Sequence, residues 1–181
     1  MSDLNAVWPP SPITTSRLIL RPSEARDRQA YIELFSSPRV WTYLGGARNR
    51  DELEALVPEI PGNHAGIFVV DKYGDLVGTV VFDRRDPERP GHIRDGDGEL
   101  EVSYTFLPNY WGHGYAGEAV EAALRWAASA FADDDVLLCT QTENAPSMRL
   151  AHRLGFVEAE RFEEFGAEQW LGRRSLRADR A

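Results

Sequence analysis

A chain of 181 residues, 43% hydrophobic and 27% charged, has the size and balance of a single globular domain with a real core; it is short for two domains and too apolar for disorder. Its formal net charge of −9 argues against general nucleic-acid binding and tolerates cationic partners. The sole cysteine, Cys139, excludes an internal disulfide and a cysteine-based metal site.

The opening MSDLNAVWPPSP is Pro-rich and reads as irregular over 1–12. It lacks the apolar stretch of a signal peptide, and no run approaches the roughly 20 residues of a membrane span, so a cytoplasmic protein with no membrane partner is expected. A first strand is predicted over 17–21, ended by Pro22. Asp27 is placed to cap a helix running to Phe35, with Ala30, Tyr31, Leu34 and Phe35 on its inner face. A second, short helix is read over 50–60, stopping at Pro58 or Pro61. Strands over 66–70 and 76–82 flank the hairpin turn at Asp71 to Asp75, where Gly74 supplies positive φ.

Residues 83–98 are charged and rich in Gly and Pro, which predicts a long exposed loop. A strand over 99–107 follows, stopped by Pro108. A long helix over 114–131 carries Ala119, Ala122, Ala123, Trp126, Ala127 and Ala130 as a stripe of helical period. Asp133, Asp134 and Asp135 end it. A short apolar strand covers 136–140, with Cys139 as a buried structural thiol. A helix over 144–154 is closed by Gly155. Two strands flank Gly166, over 156–165 and 168–176, before a polar tail at 177–181. The order β-α-α-β-β-β-α-β-α-β-β is an α/β (α+β) arrangement, a mixed sheet with helices on both faces and not a repeating βαβ series.

Gly112-His113-Gly114-Tyr115-Ala116-Gly117 spells G-x-G-x-x-G, the dinucleotide fingerprint. The context argues against a nicotinamide cofactor. The strand ahead of it, from Glu99 to Phe106, alternates polar and apolar residues, whereas the dinucleotide fold opens on an apolar parallel strand. Too little chain follows for a six-stranded doubly wound sheet. A P-loop is excluded because GxxxxGK[ST] is absent. What survives is the physics: small residues let the backbone approach a phosphate, and the amides of a helix start point at it. The glycines alone support a tight turn equally well.

Other segments decide between these readings. Thr15-Ser16-Arg17-Leu18-Ile19-Leu20-Arg21-Pro22, Glu101-Val102-Ser103-Tyr104, the loop from Tyr110 to Ala119, and Asn144-Ala145-Pro146-Ser147 followed by Leu154-Gly155-Phe156 occur in that order along nearly the whole chain. Together they resemble the GNAT superfamily of N-acetyltransferases, and within it the RimJ/RimL-like branch. The resemblance implies a mixed, mostly antiparallel twisted sheet of about seven strands, splayed centrally, with about four helices on both faces. It implies acetyl-CoA as cosubstrate, with the pyrophosphate on the amides of Gly112, His113, Gly114, Tyr115, Ala116 and Gly117. The pantetheine arm would pair near Phe106 and Leu107, and Asn144 would hydrogen-bond it. The partner is an amine acceptor, a protein N-terminus or a small molecule, and relatives commonly form homodimers through their terminal strands.

Acetyl transfer to an amine needs a base, an oxyanion donor and stabilisation of the thiolate. Glu101 is the candidate base, with Glu99 on the same face as second choice; the alternative for both is a solvated strand face. A backbone N–H near Val102 to Tyr104 would serve the oxyanion. Relatives with an acidic Tyr carry it four residues before the Gly of L-G-F, where this chain has Ala151. The branch instead has a Ser, here Ser147, to hydrogen-bond the sulfur; a Ser there also suits a helix cap. Trp41 and Tyr43 are candidates for the acceptor pocket, and Trp8, Trp126 and Trp170 for packing. Arg149 and Arg153 either reach the nucleotide or form a solvated face, and the acidic run Asp95, Asp97, Glu99, Glu101 suits a cationic acceptor. His64, His92, His113 and His152 show no metal-ligand spacing, so no metal is expected. A reading from another class, a catalytically silent acyl-CoA-binding module, stays open.

Overall fold

The computed structural model describes residues 4–93, 98–131 and 135–177. In chain order these form α1 (Leu4–Val7), β1 (Ile13–Thr14), β2 (Ile19–Arg21), α2 (Arg28–Ser36), α3 (Arg50–Leu56), β3 (Ile67–Lys72), β4 (Asp75–Arg84), β5 (Leu100–Phe106), α4 (Tyr115–Ala130), β6 (Asp135–Gln141), α5 (Ala145–Arg153), β7 (Val157–Glu164) and β8 (Ala167–Ser175). The strands make one eight-stranded sheet in the order β1-β2-β3-β4-β5-β6-β8-β7. Its registered pairs are antiparallel except β5 with β6. Among the described residues that parallel pair is registered at Leu100↔Val136 and Glu101↔Leu137. No helix among the described residues is long and apolar enough to cross a membrane.

The predicted element order stands, with corrections at the ends. The segment read as irregular contains α1, and the two-residue β1 raises the strands from about seven to eight. Neither element is long enough to show a period. The second helix stops at Leu56 because Val57, before Pro58, is pushed to extended backbone (φ −71, ψ 122). Asp27 does not cap α2 through its side chain. Its buried carboxylate instead accepts Nη1 and Nη2 of Arg21 at 2.7 and 2.9 Å, and the amide of Glu24 at 2.8 Å. Arg21 also reaches Asp71 at 2.9 Å, so a cation read as a strand end is buried between two carboxylates. Asp95, Asp97, Asp133 and Asp134 lie outside the described residues, as does the tail from residue 178.

The chain groups into two compact units. One is built from Asp3–Val81 with Tyr104–Ala123. Leu34, Val69, Leu76 and Leu107 form a buried cluster here, with Tyr31, Phe35 and Tyr110 packed on it. Trp8 meets Phe68 edge-on at 4.8 Å. Gly78 has a specific reason: a Cβ there would collide with the carbonyl oxygen of Thr105, so β4 and the end of β5 approach closely only through glycine.

The other unit is built from Phe82–Ser103 with Leu124–Ala181. Leu100, Val102, Leu124, Val136, Leu137, Phe156 and Trp170 are buried in it. Trp126 packs against Phe82 and Phe131, and the predicted stripe of α4 is buried at Ala127, as it is at Ala119, Ala122 and Ala123 in the first unit. The ring of Trp170 lies where a Cβ on Gly172 would stand.

Candidate active site

In the first unit, the loop into α4 is shaped by two glycines. Gly112 and Gly114 both have φ of +78, a conformation that costs any L side chain. A Cβ on Gly112 would meet nothing within 4 Å, so what that position needs is backbone freedom rather than space. Gly117 has no positive φ and is an ordinary residue in the first turns of α4. Among the described residues, the amides of residues 112–117 donate to no protein acceptor; the first hydrogen bond back along the helix is from Glu118 to the Gly114 carbonyl at 3.1 Å. Gly112, His113 and Gly114 are exposed. A run of amides unused by the protein at a helix start, exposed over Gly112 to Gly114, fits a diphosphate. The His113 ring stacks on Tyr115 at 5.4 Å.

This loop is tied to the opening motif. The Glu118 carboxylate accepts from Thr15 Oγ1 (2.6 Å), Ser16 Oγ (3.0 Å), the Arg17 amide (3.0 Å) and Arg17 Nε (2.7 Å), and pairs with Arg17 Nη2 at 2.6 Å. Arg17 Nη1 donates to the His113 carbonyl at 2.9 Å. Burial works to raise the Glu118 pKa, but the hydrogen bonds from Thr15, Arg17 and Ser16 outweigh it and hold the group at about 2.

At the end of β5, Phe106 and Leu107 are buried and internally bonded. The Leu107 amide donates to the Val77 carbonyl at 2.9 Å, and the Trp111 indole donates to the Phe106 carbonyl at 2.7 Å. Trp41 donates its indole N–H to the Leu34 carbonyl at 3.0 Å and lies tilted against Phe35, while Tyr43 is half-buried.

In the second unit, Glu101 lies on β5 with its side chain 16% exposed, and its Oε2 accepts Arg85 Nη1 at 2.8 Å. The Arg85 side chain is wholly buried. Its other nitrogens donate to the carbonyls of Gly91 (2.7 Å) and Pro90 (2.6 Å), so every nitrogen of the fork is used. Glu101 Oε1 has no hydrogen-bond partner among the described residues. Glu99 is spent differently: Oε1 accepts the Ile93 amide at 2.7 Å, and Oε2 faces His92 Nδ1 at 2.6 Å. The other ring nitrogen, Nε2, faces the Arg89 carbonyl at 2.8 Å and carries the hydrogen there. Cys139, read from the sequence as buried, is half-buried on β6, and its thiol is pushed up to about 11, first by desolvation and then by the charge of Glu101. At neutral pH it is held as the thiol, the less nucleophilic form.

Asn144 is the N-cap of α5: its side-chain oxygen accepts the Ser147 amide at 3.3 Å. The cap is therefore Asn144, and Ser147 is the residue capped. Ser147 is half-buried, Ala151 is fully buried, and Arg149 and Arg153 are exposed. Thus the first unit carries the amide loop and its brace, and the second carries Glu101, Asn144 and Ser147. Sequence reasoning missed Arg85, which sat in an apparently exposed loop, and the joining of Arg17 to Glu118, although both residues lie in quoted motifs.

The family described as acetyltransferase (GNAT) domain matches residues 17–157, from Arg17 to the start of β7. The chain belongs to the GNAT acetyltransferases. An uncharacterized N-acetyltransferase of Bacillus subtilis, YnaD, is 31% identical over 146 residues, covering 79% of this chain and 81% of that protein. Among solved structures, a GNAT-family acetyltransferase from Bacillus anthracis superposes with a TM-score of 0.75 at 24% identity, over 92% of this chain and 99% of that one. The ribosomal L7/L12 α-N-protein acetyltransferase RimL, in complex with coenzyme A, superposes with a TM-score of 0.71 at 15% identity, over 93% and 99% of the two chains. At these identities both structural likenesses concern the fold, and RimL is one neighbour among many. As a GNAT acetyltransferase, the chain has its amide loop, Glu101, Asn144 and Ser147 all inside the matched span.

Proposed function

We propose that this protein is an acetyl-CoA-dependent N-acetyltransferase of the RimJ/RimL-like branch, moving an acetyl group to a primary amine by direct attack in a ternary complex. The observation that carries the reading is the run of unused amides from Gly112 to Gly117 at the start of α4. Acetyl-CoA would supply the thioester; its diphosphate would lie on those amides, and the side-chain N–H₂ of Asn144, whose oxygen is already spent on the cap, would hold the arm.

The chain's own residues then manage protons and charge. The attacking nitrogen forms the new N–C bond as the C–S bond breaks, and it must shed a proton. Glu101 takes that proton at Oε1, directly or through water, while Arg85 fixes Oε2. Glu99 is the weaker candidate because both its oxygens are engaged and it is nearly buried. Backbone N–H groups from Val102 to Tyr104 would receive the oxyanion, and the Ser147 hydroxyl would hydrogen-bond the departing sulfur. Cys139 takes no part. The acceptor is a protein N-terminus or a small amine, met in a pocket to which Trp41 and Tyr43 contribute.

Thiol release from acetyl-CoA across a panel of peptides and small amines tests this. Amine-dependent release supports the reading. Binding of coenzyme A with no release against any amine would favour a silent acyl-CoA-binding module.

A further inference from the structure

Glu118 poses a problem for a phosphate loop. It is the fourth residue of α4, and a carboxylate in a first turn satisfies the positive end of a helix by itself. It would also repel a diphosphate laid on the same amides. The Arg17 guanidinium answers both difficulties. Nε and Nη2 form a fork on Glu118 at 2.7 and 2.6 Å, Nη1 holds the His113 carbonyl at 2.9 Å, and the guanidinium carbon stands 4.6 Å from the centre of the Tyr115 ring. No nitrogen of the fork is left over. Arg17 is also half-exposed, so its fork is not required by a buried core.

We propose that Arg17 is a positioning residue for the coenzyme A diphosphate: it cancels the charge of Glu118 and fixes the carbonyl of His113, so that the amides from Gly112 to Gly117 face the phosphates with no opposing charge. This rests on the acetyl-CoA reading above. The inference is specific about sign. Arg17 acts against a carboxylate of its own protein, and does not act as a direct phosphate ligand. Removing it exposes a repulsion, and removing the carboxylate as well relieves that repulsion.

The test is calorimetric titration of the full chain with coenzyme A, for the unaltered protein, Arg17→Gln, Glu118→Gln and the double variant, with thermal melts to establish folding. Arg17→Gln should weaken coenzyme A about tenfold. Glu118→Gln, which removes the repelling charge and leaves the Arg17 cation, should bind coenzyme A at least as tightly as the unaltered protein, and the double variant should recover most of the loss and show a weaker salt dependence than Arg17→Gln alone. Arg17→Lys, which keeps the charge but loses the fork, should fall between. A folded Arg17→Gln that binds as tightly as the unaltered protein overturns the proposal, as does a double variant as weak as Arg17→Gln. Failure of the unaltered protein to bind coenzyme A overturns the acetyl-CoA reading itself, and this proposal with it.

Discussion

Arg85, with its side chain wholly buried, holds one carboxylate oxygen of Glu101 at 2.8 Å and leaves the other without a protein partner among the described residues. The arginine's remaining nitrogens are bound to the Pro90 and Gly91 carbonyls, so one side chain ties the loop after β4 to the carboxylate on β5. Truncating Arg85 to Met would leave Glu101 and two carbonyls unpaired. The expected loss is about 3–5 kcal/mol, read by denaturant unfolding. Arg85→Lys should rescue little of it, because an ammonium cannot span three acceptors arranged for a planar fork.

Glu101→Gln keeps the shape and the contact to Arg85 but cannot take a proton. Turnover at neutral pH should fall by about 10²–10⁴-fold while coenzyme A affinity stays unchanged. Full rate in this variant would remove Glu101 from the role of base.

Glu118 gives a pH signature. Its folded pKa, about 2, lies below the ordinary 4.5. A depressed carboxylate contributes stability that is fully present above its unfolded value and is lost as pH falls through the folded one. The melting temperature should therefore decline between pH 4.5 and pH 2 more steeply in the unaltered protein than in Glu118→Gln. Parallel pH profiles for the two would contradict this.

Cys139 should react slowly with iodoacetamide at neutral pH, because burial and the nearby Glu101 keep it a thiol up to about pH 11. Unfolding in denaturant should restore the ordinary rate, and Cys139→Ser should retain turnover.

Much of the fold was written in local pattern. The alternation before Pro108, the alanine stripe of α4 and the Gly155 that follows α5 each fix an element within its own neighbourhood. The amide loop was legible for the same reason, from closely spaced glycines leading into a helix, and the positive φ of Gly112 and Gly114 is what the structure adds. The charged framework was not. Arg85 sits in a stretch, Asp83 to Gly98, whose composition predicts an exposed loop, and it is buried only because Glu101 and two loop carbonyls converge on it. Glu118 meets Arg17 across 101 positions of sequence. Asp27 looked like a cap because its neighbours could not reveal that Arg21 would be buried beside it. Periodicity reports which face a residue takes, and it carries no information about which distant charge will be waiting there.

The most direct measurement is amine-dependent release of free thiol from acetyl-CoA by the purified chain, run beside thermal melts with coenzyme A and with NAD. The expected result is thiol release with at least one amine, and protection by coenzyme A of roughly 2.7 kcal/mol at about 100 times its Kd. Protection by NAD alone, with no thiol release against any amine, would contradict it.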